Sequence, residues 1–257
     1  MKLITIANFT NTEDYNLLTH WWIDQALKFK GDLELEIWVD KKVENPIKTD
    51  RGTIIGKETF LLDIWNPNIV WDKKALHNIG FKLWNLCKET EPFIFIDLDA
   101  IIFQPLKHLV ECSKDQSLIM VNHEKVEGHT THLPYSFLNS GVQIVSDPQI
   151  LNWKAILSTF EDGGCNYQVP GTDQAMLHQY LKHIGYDHTH PKVGHEWNHC
   201  AGLNAFRTAH FEDDLGNGPA MPDNIFQPVC INHYWYNFKP WQINCPFYKE
   251  FINGYQA

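Results

Sequence analysis

The 257-residue chain is 44% hydrophobic and 20% charged, with a formal net charge of -10 at pH 7. That is enough apolar material for one large α/β domain with a substantial core. The acidic balance argues against a nucleic-acid partner, because phosphate backbones are held by clustered Lys and Arg, and it leaves small anionic ligands open where a metal bridges the repulsion. The apolar segment at the start is too short for a signal peptide, and no apolar run of about 18 residues exists for a membrane span. The expectation is a soluble, cytoplasmic protein.

Residues 3–7 read as a short apolar strand, and Asn8-Phe9-Thr10-Asn11-Thr12 as a polar loop able to cap a helix over residues 13–29. A second strand is expected over 33–39, so the chain opens with the βαβ unit of a nucleotide-binding sheet, whose first loop commonly touches ligand. Residues 40–56, polar with Pro46 and Gly52, read as a loop, and 59–64 as a candidate third strand. Residues 73–88 carry Ala75, Leu76, Ile79, Leu83 and Leu86 at helical spacing. Lys82 lies on that helix and, from its neighbours alone, is a solvated surface lysine.

Pro92-Phe-Ile-Phe-Ile-Asp-Leu-Asp-Ala-Ile-Ile-Phe is the stretch around which the chain is organised. Phe93 to Ile96 has the character of a strand buried on both faces, and Asp97 and Asp99 interrupt the apolar run. Residues at i and i+2 of an extended chain share a face, so the two carboxylates can converge on one point. Two uncompensated anions there would cost several kcal/mol, which a divalent cation offsets; hard oxygen ligands suit magnesium or manganese. Two carboxylates capping a turn after the strand is the other reading of this stretch alone.

A short helix is expected over 107–113, strands over 117–121 and 137–145, and a helix over 151–160. Residues 122–135 form a long polar, His-rich connection. Gly141 marks a place where backbone or ligand comes close. A further helix, starting at Thr172 or Asp173 and running to about residue 183, puts its positive N-terminal end beside any anionic ligand. His195-Glu196-Trp197-Asn198-His199 matches H-E-x-x-H literally, but that pattern binds zinc only on a helix, and no amphipathic helix surrounds it. Residues 229–231 are strand-like and lead into His233 and Lys239-Pro240-Trp241. Six scattered cysteines, Cys87, Cys112, Cys165, Cys200, Cys230 and Cys245, with no C-x-x-C pair, read as buried free thiols.

In this order the segments Phe95-Ile96-Asp97-Leu98-Asp99, Leu138-Asn139-Ser140-Gly141-Val142, Asp173-Gln174, and His233 with Lys239-Pro240-Trp241 resemble the glycogenin-like and galactosyltransferase-like retaining glycosyltransferases. These are family 8-like enzymes of the GT-A fold. The resemblance spans nearly the whole chain. It implies one GT-A, Rossmann-like α/β domain over 1–257 with a central, mostly parallel sheet flanked by helices. Its nucleotide-binding part would occupy about 1–110 and its acceptor-binding part about 111–257.

The resemblance also implies that Asp97, Asp99 and His233 bind manganese, or magnesium, and that Lys239 pairs with the diphosphate of a nucleotide-sugar donor, a UDP-sugar. Asp97, Leu98, Asp99, Asn139, Ser140 and Lys82 would border the donor, with Ala7, Asn8, Thr10, Asn11 and Tyr15 at its nucleoside. Asp173 and Gln174 would be the catalytic pair beside the sugar. The acceptor would be a saccharide or other hydroxyl, walled by residues 122–135 and 188–211. Trp197 or Trp235 would stack on it, with core packing the alternative for each.

Two departures keep alternatives open. The family's closing motif is His-x-x-Gly-x-x-Lys-Pro-Trp, and Tyr236 stands where the glycine is expected; that favours a nucleotide-sugar-binding protein that has lost transfer. The H-E-x-x-H match favours a zinc hydrolase using His195, Glu196 and His199, although Trp197-Asn198 also matches an aromatic-Asn pair of the family.

Overall fold

The computed structural model describes residues 1–7, 13–39, 46–59, 78–122, 138–162, 172–200, 230–234, 239–242 and 245–255. Strand β1 (Lys2–Ile6) is followed by helix α1 (Glu13–Phe29) and strand β2 (Glu34–Val39). Acidic Glu13 and Asp14 in the first turn of α1 and Lys28 in the last complement the helix dipole. Its buried stripe, Leu18, Trp21, Trp22 and Ala26, recurs at helical spacing.

Residues 40–56, expected as a loop, contain two strands instead, β3 (Ile47–Thr49) and β4 (Gly52–Gly56). Gly52, which looked like loop punctuation, closes the hairpin turn, and Pro46 stands just before β3. Gly52 adopts φ +124°, and the Thr49 hydroxyl donates to its carbonyl at 2.8 Å. A Cβ at Gly52 would also stand 3.1 Å from Leu35 Cγ. Of the candidate strand at 59–64, Thr59 is outside any strand and the remainder falls outside the described residues.

The expected helix at 73–88 is seen from residue 78, first as a π-helical turn (Asn78–Leu83) and then as α2 (Trp84–Leu86). Strand β5 (Phe93–Ile96), strand β6 (Ala100–Ile102), helix α3 (Lys107–Cys112), strand β7 (Leu118–Asn122) and strand β8 (Leu138–Val145) come next. Helices α4 (Trp153–Asp162) and α5 (Thr172–His183), strands β9 (His199–Cys200) and β10 (Ile231–His233), and helix α6 (Pro246–Tyr255) complete the described chain. Pro246 occupies the first helical position of α6, where its missing N–H costs nothing.

The main sheet has the order β3-β4-β2-β1-β5-β8-β7. Its middle, β4-β2-β1-β5, is parallel throughout, β8 runs antiparallel to both β5 and β7, and β3 is antiparallel to β4. Five of the seven strands therefore point the same way. Successive residues of each central strand serve opposite faces. Leu3, Ile94 and Ile96 join α1 in one apolar cluster, while Ile4, Phe93 and Phe95 join Ile79, Phe81 and helices α4 and α5 in another. A second, three-stranded sheet has the order β6-β10-β9. Among the described residues Cys87, Cys112, Cys230 and Cys245 are free thiols, and no helix is long and apolar enough to cross a membrane.

Candidate active site

Strand β5 ends at Ile96, and Asp97 begins a tight turn in which Asp97 N–H donates to Gly141 O at 2.8 Å and Ala100 N–H donates to Asp97 O at 2.9 Å. The turn carries the chain out of the main sheet into β6. There β10 pairs with β6 antiparallel, His233 opposite Ala100, and Tyr234 N–H donates to Asp99 O at 2.7 Å. This ladder is what brings residue 233 beside residue 99. His233 Nε2 lies 3.4 Å from Asp99 Oδ1, and donor atoms of Asp97, Asp99 and His233 all fall within 4.8 Å of one another.

Each aspartate also has an ammonium partner. Lys82 Nζ is 2.9 Å from Asp97 Oδ1 and 3.2 Å from its Oδ2. Lys239 Nζ bonds Asp99 Oδ2 and donates to Tyr234 O at 2.8 Å. Lys82 is only 5% exposed, so the surface position expected for it is corrected: the π-turn delivers its side chain under β5, over the Phe95 ring at 4.8 Å. From there it also reaches Ser140 Oγ at 3.2 Å and Asp173 Oδ2 at 3.3 Å. The Ser140 hydroxyl donates to Asp173 Oδ2 at 2.6 Å, and Ser140 N–H donates to Gln174 Oε1 at 3.2 Å. The start of α5 is thereby tied to β8.

Burial disfavours the charged forms of Lys82, Asp97 and Asp99, and their neighbours decide the outcome. At Lys82 the carboxylates of Asp97 and Asp173 outweigh desolvation, so its ammonium is held above the ordinary lysine value. Burial pushes Asp97 up; Lys82 opposes this, the charge of Asp99 adds to it, and the net direction is upward. Asp99 is also pushed up by burial, but Lys239 and His233 prevail and hold it well below the usual carboxylate range.

Three carboxylates, those of Asp97, Asp99 and Asp173, face two ammonium groups. One negative charge is left over, which a divalent ion turns into one positive. Ligands about 2.1 Å from a shared ion stand at most about 4.2 Å apart, so small side-chain rotations would close Asp97, Asp99 and His233 on magnesium or manganese. Two carboxylates and an imidazole suit either ion.

The other expected site residues divide. Ala7 lies just past the end of β1, its N–H bonded to Trp38 O, and Tyr15 packs edge to face on Trp241 at 5.3 Å, so α1 meets the Lys239-Pro240-Trp241 segment. Leu98 is 4% exposed with its side chain in the apolar core. Asn8, Thr10, Asn11, Trp235 and Tyr236 lie outside the described residues. Trp197 is buried and stacks on His108 at 5.4 Å, the core-packing alternative.

The H-E-x-x-H segment is not a helix. His195–Trp197 is a single 3-10 turn, followed by β9, and the Glu196 carboxylate accepts from Gly194 N–H at 3.3 Å. The two imidazoles therefore lack the shared helical face a zinc site of that kind requires. Asn198, which drew notice only as half of an aromatic-Asn pair, is fully buried and bonds both Asn139 and His233. Its signal in the sequence was no more than that pair.

Compared by sequence, the chain matches no family model and no curated protein. Compared by structure, it superposes on the glycosyltransferase GlyE of Streptococcus pneumoniae TIGR4 with a TM-score of 0.60 at 13% identity, covering 98% of this chain and 59% of that one. It superposes on galactosyltransferase LgtC, solved in complex with donor and acceptor sugar analogs, with a TM-score of 0.54 at 14% identity over 98% of this chain and 94% of that one. An active-site mutant of LgtC gives 0.53 at 15% identity over 99% and 96%. The chain spans about three-fifths of the GlyE chain and nearly all of LgtC. The architecture described above, a mostly parallel sheet flanked by helices with a small second sheet entered from the end of β5, is the GT-A fold.

Proposed function

We propose that the chain is a metal-dependent glycosyltransferase that moves a sugar from a nucleotide-sugar donor, a UDP-sugar, to a saccharide or other hydroxyl acceptor with retention of anomeric configuration. The observation that carries this is the convergence of Asp97, Asp99 and His233 at the edge of a GT-A sheet, with Lys82 and Lys239 on either side. Structural similarity to GlyE and LgtC supports it. The donor-binding part would be residues 1–110 and the acceptor part 111–257 of one domain.

Cleaving the bond between a sugar C1 and a diphosphate puts negative charge on the leaving phosphate and positive charge on the ring. A manganese or magnesium ion held by Asp97, Asp99 and His233 would supply Lewis-acid stabilisation of the leaving group. Lys239, beside Asp99, would add a second positive charge for the diphosphate. Ala7, Tyr15 and the segment Asn8, Thr10 and Asn11 would hold the nucleoside; Leu98, Asn139 and Ser140 would border the donor. Of the catalytic pair, partly exposed Gln174, whose Oε1 accepts from Ser140 N–H, would lie beside the sugar, whereas buried Asp173 holds Lys82 and Ser140 in register.

The test is donor turnover with Mn2+ across a panel of nucleotide sugars. The expected result is Mn2+-dependent transfer or hydrolysis of one donor, abolished by chelator and reduced by about 100-fold or more in Asp97→Asn and in Asp99→Asn, in the range seen when a group that stabilises developing charge is removed. Full activity of either variant in chelator would refute it. Donor binding with Mn2+ but no turnover would instead favour the binding protein suggested by Tyr236.

A further inference from the structure

We propose that Asn198 is a positioning residue that fixes the imidazole of His233 with its proton on Nδ1 and the bare lone pair of Nε2 turned toward the two aspartates; this deepens, and for its purpose rests on, the cation site proposed above. The direction of every bond in the chain of contacts follows from two backbone groups whose roles are not in question.

Gly141 N–H can only donate, and it donates to Asn139 Oδ1 at 2.7 Å. The atom of Asn198 lying 2.8 Å from that same oxygen must then be its amide nitrogen. The same nitrogen stands 3.3 Å from Val121 O, which can only accept. Both contacts turn the Asn198 amide the same way. Its Oδ1 therefore faces His233 Nδ1, at 3.0 Å, and because an amide oxygen cannot donate, Nδ1 carries the hydrogen.

A neutral imidazole protonated on Nδ1 has an unprotonated Nε2. That atom is the one 3.4 Å from Asp99 Oδ1, on the side where the three donor groups meet. Without Asn198 the ring is free to move its proton to Nε2 and donate to the Asp99 carboxylate, which consumes the lone pair a cation needs. Asn198 is 0% and Asn139 3% exposed, so bulk water does not compete for these bonds. Gly141 makes room for the arrangement: a Cβ there would lie 2.5 Å from His233 Cε1 and 2.7 Å from Asn139 Oδ1.

The experiment has two readouts, neither of which is sugar transfer. Long-range 1H–15N correlation spectra of the cation-free protein at mildly alkaline pH, with His233 assigned by comparison with His233→Gln, report which ring nitrogen holds the proton. Titration of Mn2+ followed by the electron-spin signal of the free ion reports cation affinity without any donor. The wild-type ring is expected to be Nδ1–H. In Asn198→Leu the ring shifts toward Nε2–H, and Mn2+ affinity falls about tenfold or more, as for other residues that orient a metal-bound histidine.

A wild-type ring protonated on Nε2 overturns the proposal without recourse to any variant, so a failure of Asn198→Leu to fold does not protect it. An unchanged tautomer and unchanged Mn2+ affinity in Asn198→Leu also overturn it. A wild-type Nδ1–H ring in a protein that binds no Mn2+ supports the role of Asn198 while sinking the cation site, so the two ideas fail separately.

Discussion

The two sheets of this molecule are held by different forces. The seven-stranded sheet is a hydrocarbon object: Ile4, Phe93, Phe95, Ile94 and Ile96 are fully buried, and both of its faces are covered by apolar side chains. The three-stranded sheet is short, and its neighbourhood is polar. Asn198, Asn232, His233 and Lys239 are all buried there; Asn198 and His233 bond one another, and Lys239 bonds Asp99 and the Tyr234 carbonyl. In the first, stability scales with apolar area removed from water. In the second, buried polar groups contribute little net free energy when paired and cost much when one partner is lost. Substitutions of the apolar residues of the large sheet should therefore act on folding, and substitutions of residues packed around the small one on the site.

The largest effect should come from the hydrocarbon side. Phe93→Ala empties a fully buried position on β5, opposite Val145 and beside β1, and should cost about 3–5 kcal/mol. A urea midpoint that falls with an unchanged slope, and Mn2+ affinity close to wild type in the fraction still folded, would show the two regions to be separable. Loss of Mn2+ binding in the folded fraction would break the comparison.

Gly141→Ala should be smaller in stability and larger in the site. Its Cβ must displace the His233 ring or the Asn139 amide, an overpacking cost of about 1–3 kcal/mol. Because what moves is a cation ligand, Mn2+ affinity should fall by more than the stability change accounts for. Equal Mn2+ binding in wild type and Gly141→Ala would mean that the close packing of His233 on β8 has no part in the site.

The contrast also explains what the residues revealed by themselves. Phe93 to Ile96 was legible as a buried strand because four apolar residues in a row have few other places to go, and α1 because its apolar stripe and charged ends agree. The hairpin at 47–56 was hidden because Gly52 and Pro46 are equally at home in a loop; only the φ of +124° and the packing on Leu35 distinguish a turn. Lys82 read as a surface residue because its partners, Asp97, Ser140 and Asp173, come from three other segments. Local pattern carries no information about contacts such as Lys239 with Asp99, 140 positions apart. Resemblance to a known family implied that His233 joins the two aspartates and that Lys239 meets a diphosphate, whereas the Lys239–Asp99 pairing and the polarity of the Asn198 contacts were legible only through coordinates.

The finest test separates the two aspartates. Asp99 has a folded-state pKa below its unfolded value, so what it adds to stability is present above about pH 4 and is lost as pH falls through the folded value. Asp97 has the opposite sign: its folded-state pKa is raised, so its contribution is full below about pH 4 and is lost as pH rises through the folded value. In the cation-free protein at neutral pH, Asp99→Asn should therefore destabilise by removing the partner of buried Lys239. Asp97→Asn should destabilise less or not at all, because a burdened charge goes with it and Lys82 keeps Asp173. Urea midpoints followed from about pH 8 down to about pH 3 should show the gap between the variants narrowing in acid. Mn2+ should then reverse the picture at neutral pH, stabilising wild type and neither variant, because the ion needs both carboxylates. Equal neutral-pH losses in the two variants, with a gap that stays constant into acid, would show that the pair titrates symmetrically and that the polar sheet does not distinguish its two anions.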